Sequence, residues 1–372
     1  MTPNDPEEDS KLWQKVLGVL FLPSSQHYQQ LHALSIGNAL MFVTNPTAND
    51  GLSVFTEAPK LQHLRLRGLV VNSDSCPNSY PSLQSVSVIN TCLDRPIHSL
   101  LRRMPNLERL SLVLMERYDT NSDIGNSEDE LRLDKLRTLR ILRPAEDQLH
   151  DINDLLALLR APNLRHFEWE VNYEPLATPL DFWHRCASRF QTLTSLHLMG
   201  FPSEFPGGVA ALQVLVGWLQ SLQDLESFIL IFARTCVYSI VETDSGIRTI
   251  LERLSETHDG TPAYCAKLGS LHIGPVLPRE LPTLQSVVQS RPHLSSGSVH
   301  ILQYVDTKRS AGDVSWFQTN VSNFAIETVS GHGRGFHYGG RHRYVGGALR
   351  KYPNVFSERI YFDQAEQSEP SA

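Results

Sequence analysis

The sequence predicts an α/β fold: a leucine-rich-repeat solenoid, or horseshoe, with parallel strands on its concave face and helices or loops on its convex face. Three observations predict it. A Leu-x-x-apolar-x-apolar spacing recurs along most of the chain, prolines stand at a fixed place before it, and segments of helical periodicity lie between its copies.

The copies read Leu31/Leu34/Ile36, Leu61/Leu64/Leu66, Leu83/Val86/Val88, Leu107/Leu110/Leu112, Leu136/Leu139/Ile141, Leu164/Phe167/Trp169, Leu193/Leu196/Leu198, Leu225/Phe228/Leu230 and Leu268/Leu271/Ile273, with a less regular tenth at Leu294/Gly297/Val299. Their first leucines lie 22 to 43 residues apart, the range of leucine-rich repeats and longer relatives. Pro59, Pro81, Pro105, Pro162 and Pro292 each precede a first leucine by two residues, where the 22 prolines of the chain would place about 0.6 by chance. Proline cannot continue a helix and pushes its predecessor into extended geometry, so it separates one element from the strand that follows.

Helical stripes fill the intervals. Asp151 can cap a helix carrying Ile152, Leu155, Leu156 and Leu159, and Ser245 one carrying Ile247, Ile250, Leu251 and Leu254. Shorter stripes are Ile97/Leu100/Leu101/Met104, Phe182/Cys186/Phe190, Val209/Leu212/Val216/Leu219 and Leu281/Leu284/Val288. Val70 to Tyr80, rich in Asn and Ser, and the acidic insertion Tyr118 to Asp134 read as loops. The domain reading is an N-terminal segment of partly helical character (1–30), about ten irregular repeats (31–303), and a C-terminal extension (304–372). The extension is dense in Gly, His and Arg from Gly331 to Gly347 and is expected to be partly disordered.

Composition narrows the function classes. With 41% apolar and 20% charged residues the chain is globular rather than disordered. A net charge of −7 argues against neutralising nucleic-acid phosphates as its main task, so no nucleic-acid partner is expected. Five scattered cysteines fit a reducing compartment, cytoplasmic or nuclear. The apolar run Val16 to Leu22 is too short for an export signal. Phe205 to Gln223 reads as a buried helix rather than a membrane span, because Pro206, Gly207, Gly208, Gln213, Gln220 and Gln223 interrupt it. No phosphate-binding Gly-rich loop, His-Glu-x-x-His or Gly-x-Ser-x-Gly is present. No catalytic residue, cofactor or metal is therefore expected.

Strand side chains alternate, so the third, fifth and seventh repeat positions face away from the core in three rows. The first row holds His63, Arg109 and His166. The middle row holds Arg65, Ser87, Ser111, Arg140, Glu168, His197, Ile229 and His272, and the last Arg67, Ile89, Val113, Leu142, Glu170, Met199 and Ile231. The face is expected to be basic in its N-terminal half, acidic at Glu168 and Glu170, and apolar along one rim. Partner-binding candidates are His63, Arg65, Arg67, Arg109, Arg140, His166, Glu168, Glu170, His197, Met199 and Ile229. The bland alternative is that these charges merely solvate the sheet, or that the chain's own loops cover the apolar rim.

Ala58-Pro59-Lys60-Leu61-Gln62-His63-Leu64-Arg65-Leu66, Met104-Pro105-Asn106-Leu107-Glu108-Arg109-Leu110-Ser111-Leu112 and Ala161-Pro162-Asn163-Leu164-Arg165-His166-Phe167 resemble the irregular repeats of fungal F-box/leucine-rich-repeat proteins. The resemblance covers about residues 31–300. It implies a substrate-recognition part of a ubiquitin-ligase receptor, whose F-box would dock on a Skp-type adaptor. Residues 1–30 offer Trp13, Val16, Leu17 and Leu20 without that module's Leu-Pro opening, so an F-box is not visible. The alternatives are a structural repeat protein without a ligase link, and a hydrolase or transferase with a C-terminal site gathering His332, His337 or Asp363.

Overall fold

A computed structural model of the chain describes residues 30–37, 59–67, 70–71, 79–89, 92–93, 97–113, 130–142, 149–171, 180–201, 208–232, 246–304 and 311–329. The N-terminal segment before residue 30, most of the acidic insertion and the Gly/His/Arg-rich stretch lie outside the described residues.

The protein is α/β, built on one parallel sheet of eleven strands in chain order. They are β1 (Ala33–Gly37), β2 (His63–Arg67), β3 (Ser85–Ile89), β4 (Arg109–Val113), β5 (Thr138–Leu142), β6 (His166–Glu170), β7 (Ser195–Phe201), β8 (Ser227–Phe232), β9 (Ser270–Gly274), β10 (Ser298–Tyr304) and β11 (Asn323–Val329). The connections contain α1 (Ile97–Leu101), α2 (Leu149–Leu158), α3 (Leu180–Arg189), α4 (Gly208–Ser221), α5 (Gly246–Ser255), α6 (Leu281–Gln289), α7 (Pro292–Ser296) and α8 (Ala311–Asn320).

The strand register makes one ladder of the fourth repeat position: Leu34, Leu64, Val86, Leu110, Leu139, Phe167, Leu196, Phe228, Leu271, Val299 and Phe324 are successive partners. From Leu64 to Val299 these side chains are buried. They share a continuous core with the first leucines of the units and with helix residues such as Leu155, Phe182, Trp218 and Ile250. Each strand thus buries one face and each helix one stripe, removing roughly 1.5–3 kcal/mol of apolar exposure per large side chain. The middle units substitute aromatic rings for leucine: Trp169 lies 4.4 Å from the Phe182 ring, and Phe167 5.2 Å from that of Phe190.

The repeated proline occupies a turn. Leu83, Leu107 and Leu164 donate their N–H groups to the carbonyls of Tyr80, Met104 and Ala161, three residues back, at 3.3, 3.2 and 3.1 Å. That puts Pro81, Pro105 and Pro162 at the second turn position, where a φ near −65° is required. Adjacent turns are laced together: Asn106 Nδ2 donates to Pro81 O at 2.6 Å, and Asn163 Nδ2 to Asp134 O at 2.7 Å.

Four expectations need revision. The tenth copy is displaced by two residues: Leu271 and Ile273 pair with Val299 and Ile301, so the unit's core positions are those, while Leu294 is buried in α7 and Pro292 begins that helix. Gly297 ends α7, where a Cβ would collide with the Gly269 carbonyl. The sheet also continues beyond residue 303, because Val321-x-x-Phe324-x-Ile326 repeats the same spacing with valine in place of the opening leucine. In α4 the buried stripe is Ala211, Leu215, Trp218 and Leu219, and Val209 is 64% exposed, because a helix apolar on nearly every side gives no clear period. Finally, both stretches read as loop hold a short parallel strand: Val70–Val71 pairs with Cys92–Leu93, and Leu131–Arg132 with Leu159–Arg160.

Candidate functional site

The sheet face opposite the helices carries the polar rows, and the same register that builds the core fixes their neighbours. Strands lie about 4.8 Å apart, so residues 22 to 43 apart in sequence stand side by side. Across the middle row Arg65, Ser87, Ser111, Arg140, Glu168, His197, Ile229, His272 and His300 are consecutive partners.

Two regions differ in character. In β2 to β5 the short side chains of Ser85, Ser87, Ser111 and Thr138 form the floor of a depression also lined by Arg65, Arg109 and Arg140. His63 flanks it, and its pKa is lowered, first by burial and then by the Arg109 charge. The region is electropositive and offers hydroxyls and guanidinium N–H groups together, donors suited to carboxylate or phosphate oxygens.

In β5 to β7 the polar groups close on one another. Arg140 Nε donates to Glu168 Oε2 at 2.5 Å, and Nη2 to Oε1 at 3.4 Å, with both side chains buried. His166 Nε2 lies 3.5 Å from the same Oε2. On its other side His166 Nδ1 is 2.9 Å from Ser195 Oγ, which is 3.0 Å from His197 Nε2. The carboxylate fixes the proton order, since an imidazole nitrogen facing it must carry hydrogen. His166 Nε2–H then points at Glu168, Ser195 donates to His166 Nδ1, and His197 Nε2–H donates to Ser195. This leaves His197 Nδ1 as a lone pair, buried and without a hydrogen-bond partner among the described residues. Burial alone would raise the Glu168 pKa, but the His166 hydrogen bond and the Arg140 charge hold it down to about 2. Burial, reinforced by His166, lowers His197 to about 3, so its ring is neutral at neutral pH. One nitrogen of each ring and one Glu168 oxygen lie within 4.8 Å of one another.

The eleven candidate residues divide accordingly. Arg67 is exposed, and His63, Arg65, Arg109 and His166 are half-buried. Arg140, Glu168, Glu170, His197, Met199 and Ile229 are buried. The outer positions of a sheet were expected to face solvent, but in β5 to β8 long neighbours on adjacent strands cover one another. Nor is the rim an exposed apolar patch: Ile89, Leu142 and Met199 are 4%, 7% and 2% accessible. Sequence reasoning did not single out Ser195 or Thr138, although their place in the first row was readable from the repeat.

Other chemistry-bearing side chains serve the core. The thiols of Cys186 and Cys265 are buried and their pKa values raised by that burial, Cys265 to about 12, so neither is a ready nucleophile. Arg291 is buried and donates to the Tyr264 carbonyl at 2.7 Å and to Ser290 Oγ at 2.8 Å. His332, His337 and Asp363 lie outside the described residues. No helix among the described residues is long and apolar enough to cross a membrane.

No protein-family profile matches the chain, and no curated protein does. Among solved structures, a Bacteroides fragilis protein is similar to 72% of this chain at 13% identity and a TM-score of 0.33; this chain spans 56% of that protein's length. A likeness of that size carries no inference about function.

Proposed function

We propose that the chain is a non-catalytic interaction scaffold, a leucine-rich-repeat solenoid that holds an acidic segment of a partner protein along a concave, strand-lined face. The observation that carries the reading is the depression of β2 to β5, where hydroxyl-bearing side chains form a floor among Arg65, Arg109 and Arg140. Arg65 on β2 and Arg109 on β4 stand two strands apart, about 10 Å, the reach of roughly three extended residues. An extended Asp/Glu-rich peptide crossing the strands would meet these two half-buried guanidinium groups with the serine hydroxyls between them, while Arg140, held by Glu168, closes the far wall.

The resemblance of the repeats to fungal F-box/leucine-rich-repeat proteins supports a narrower version, in which the partner is a substrate for ubiquitination and a Skp-type adaptor joins the complex. A second reading is a structural repeat protein with no regulated partner; it is favoured by the burial of Ile89, Leu142 and Met199 on the same face.

The test is anisotropy of a labelled glutamate-rich peptide with the full chain and with the Arg65→Glu/Arg109→Glu variant, both residues being half-buried rather than core. Binding should weaken at least tenfold in the variant and fall with added salt. Equal binding by both proteins rejects the depression as the site, and absence of binding to either supports the structural reading. Co-purification with a Skp-type adaptor is the separate test of the ligase link.

A further inference from the structure

We propose that His166, Glu168 and His197 bind a divalent transition ion of the zinc type. The proposal stands apart from the partner reading, because these residues lie on β6 and β7, beyond the depression.

Two imidazoles and one carboxylate are a donor set that zinc accepts, with three protein ligands leaving a fourth position open. Ligand distances of about 2.0–2.2 Å imply neighbouring ligand atoms about 3.4 Å apart in a tetrahedron. His166 Nε2 and Glu168 Oε2 stand at 3.5 Å, and one donor atom from each of the three residues falls within 4.8 Å of the others. Independently of that spacing, His197 Nδ1 is buried with no hydrogen-bond partner among the described residues, although a buried polar nitrogen is costly to leave unmatched. A metal bond would satisfy it.

The protons balance without loss. On metal binding the His166 hydrogen moves from Nε2 to Nδ1 and is donated to Ser195 Oγ, which also accepts from His197 Nε2–H. The hydroxyl's own hydrogen turns away, and its oxygen has the two lone pairs required. Ser195 therefore orients both rings and is a positioning residue. Arg140 need not leave, because a carboxylate oxygen can accept a guanidinium N–H on one lone pair and a metal on the other. Glu170, buried two residues along the same strand face, adds a second acidic group against the incoming charge.

The test uses the full chain stripped with chelator, Zn²⁺ titrated in competition with a chromophoric chelator, and Co²⁺ absorption as a report of nitrogen and oxygen ligation. The expected result is one zinc equivalent lost in both His166→Ala and His197→Ala, and bound 10–100-fold more weakly in Ser195→Ala. Because His166 is partly exposed, its variant should keep the wild-type circular dichroism and melting, and it decides the matter if His197→Ala fails to fold. An equivalent that survives in folded His166→Ala is held elsewhere and overturns the proposal, as does a wild-type chain that binds no zinc.

Discussion

Replacing Glu168 by Gln keeps the size of the side chain but removes the charge that faces the Arg140 guanidinium. Glu168 is 1% and Arg140 5% accessible, so water cannot take the carboxylate's place. Breaking a buried ion pair from one side costs about 3–5 kcal/mol, most of it from the charge left behind. At about 2.1 cal/mol/K of unfolding entropy per residue, a 372-residue chain has about 0.8 kcal/mol/K, so that loss lowers Tm by roughly 4–6 °C. Arg140→Met should cost a similar amount through the stranded carboxylate. In the double variant Arg140→Met/Glu168→Gln no charge is left unpaired, and stability should return to within about 1–2 kcal/mol of wild type. Urea titrations followed by circular dichroism and by tryptophan fluorescence measure all four proteins, Trp169 being the residue after Glu168 with its ring on the core side. If Glu168→Gln costs under about 1 kcal/mol, or if the double variant loses the sum of the singles, the pair is not the electrostatic unit described above.

Two other outcomes follow from the same face and its border. In chelator-treated protein stability should fall as pH drops below about 6.5, because His197 and His272 hold folded pKa values lowered by burial to about 3 and about 4 while their unfolded rings take up protons at ordinary values. Each contributes stability that is fully present above pH 6.5 and is lost at about 1.4 kcal/mol per pH unit as pH falls toward its folded pKa, so denaturant midpoints that stay flat from pH 7 to pH 5 would contradict it. Gly200→Ala, at a φ of +79° in the bulge of β7 where a Cβ would strike the Val171 carbonyl, should cost at least about 1–3 kcal/mol, whereas Gly217→Ala, with open space around it on α4, should be neutral or slightly stabilising.

The sheet was legible because one period runs through it. Nine copies of the spacing coincide with β1 to β9, and their buried positions follow from alternation alone. Legibility failed where a unit departed from leucine or from its usual length. The last unit opens with Val321 in place of leucine, and α7 holds Leu294 two residues ahead of where its unit's first position falls. The site was legible as rows but not as a cluster. Counting along repeats puts Glu168 beside Arg140 and His197, yet which outer side chains are buried depends on how neighbours fill the space above the strands, and a repeat pattern holds no record of that.

Each interior strand of the main sheet lies between its two neighbours in sequence and no others. Within the sheet, mechanical and thermal stress therefore passes along a single file, and the route around a weakened link is the helix layer, where α3 packs against α2 and α4. A lesion at either terminus frays outward and spares the remainder, whereas one at β6 or β7 severs two halves that have no other main-sheet connection. Amide-exchange protection should accordingly peak at the centre and decay toward both ends, so a charge stranded at the Arg140–Glu168 clasp falls where a break is felt furthest.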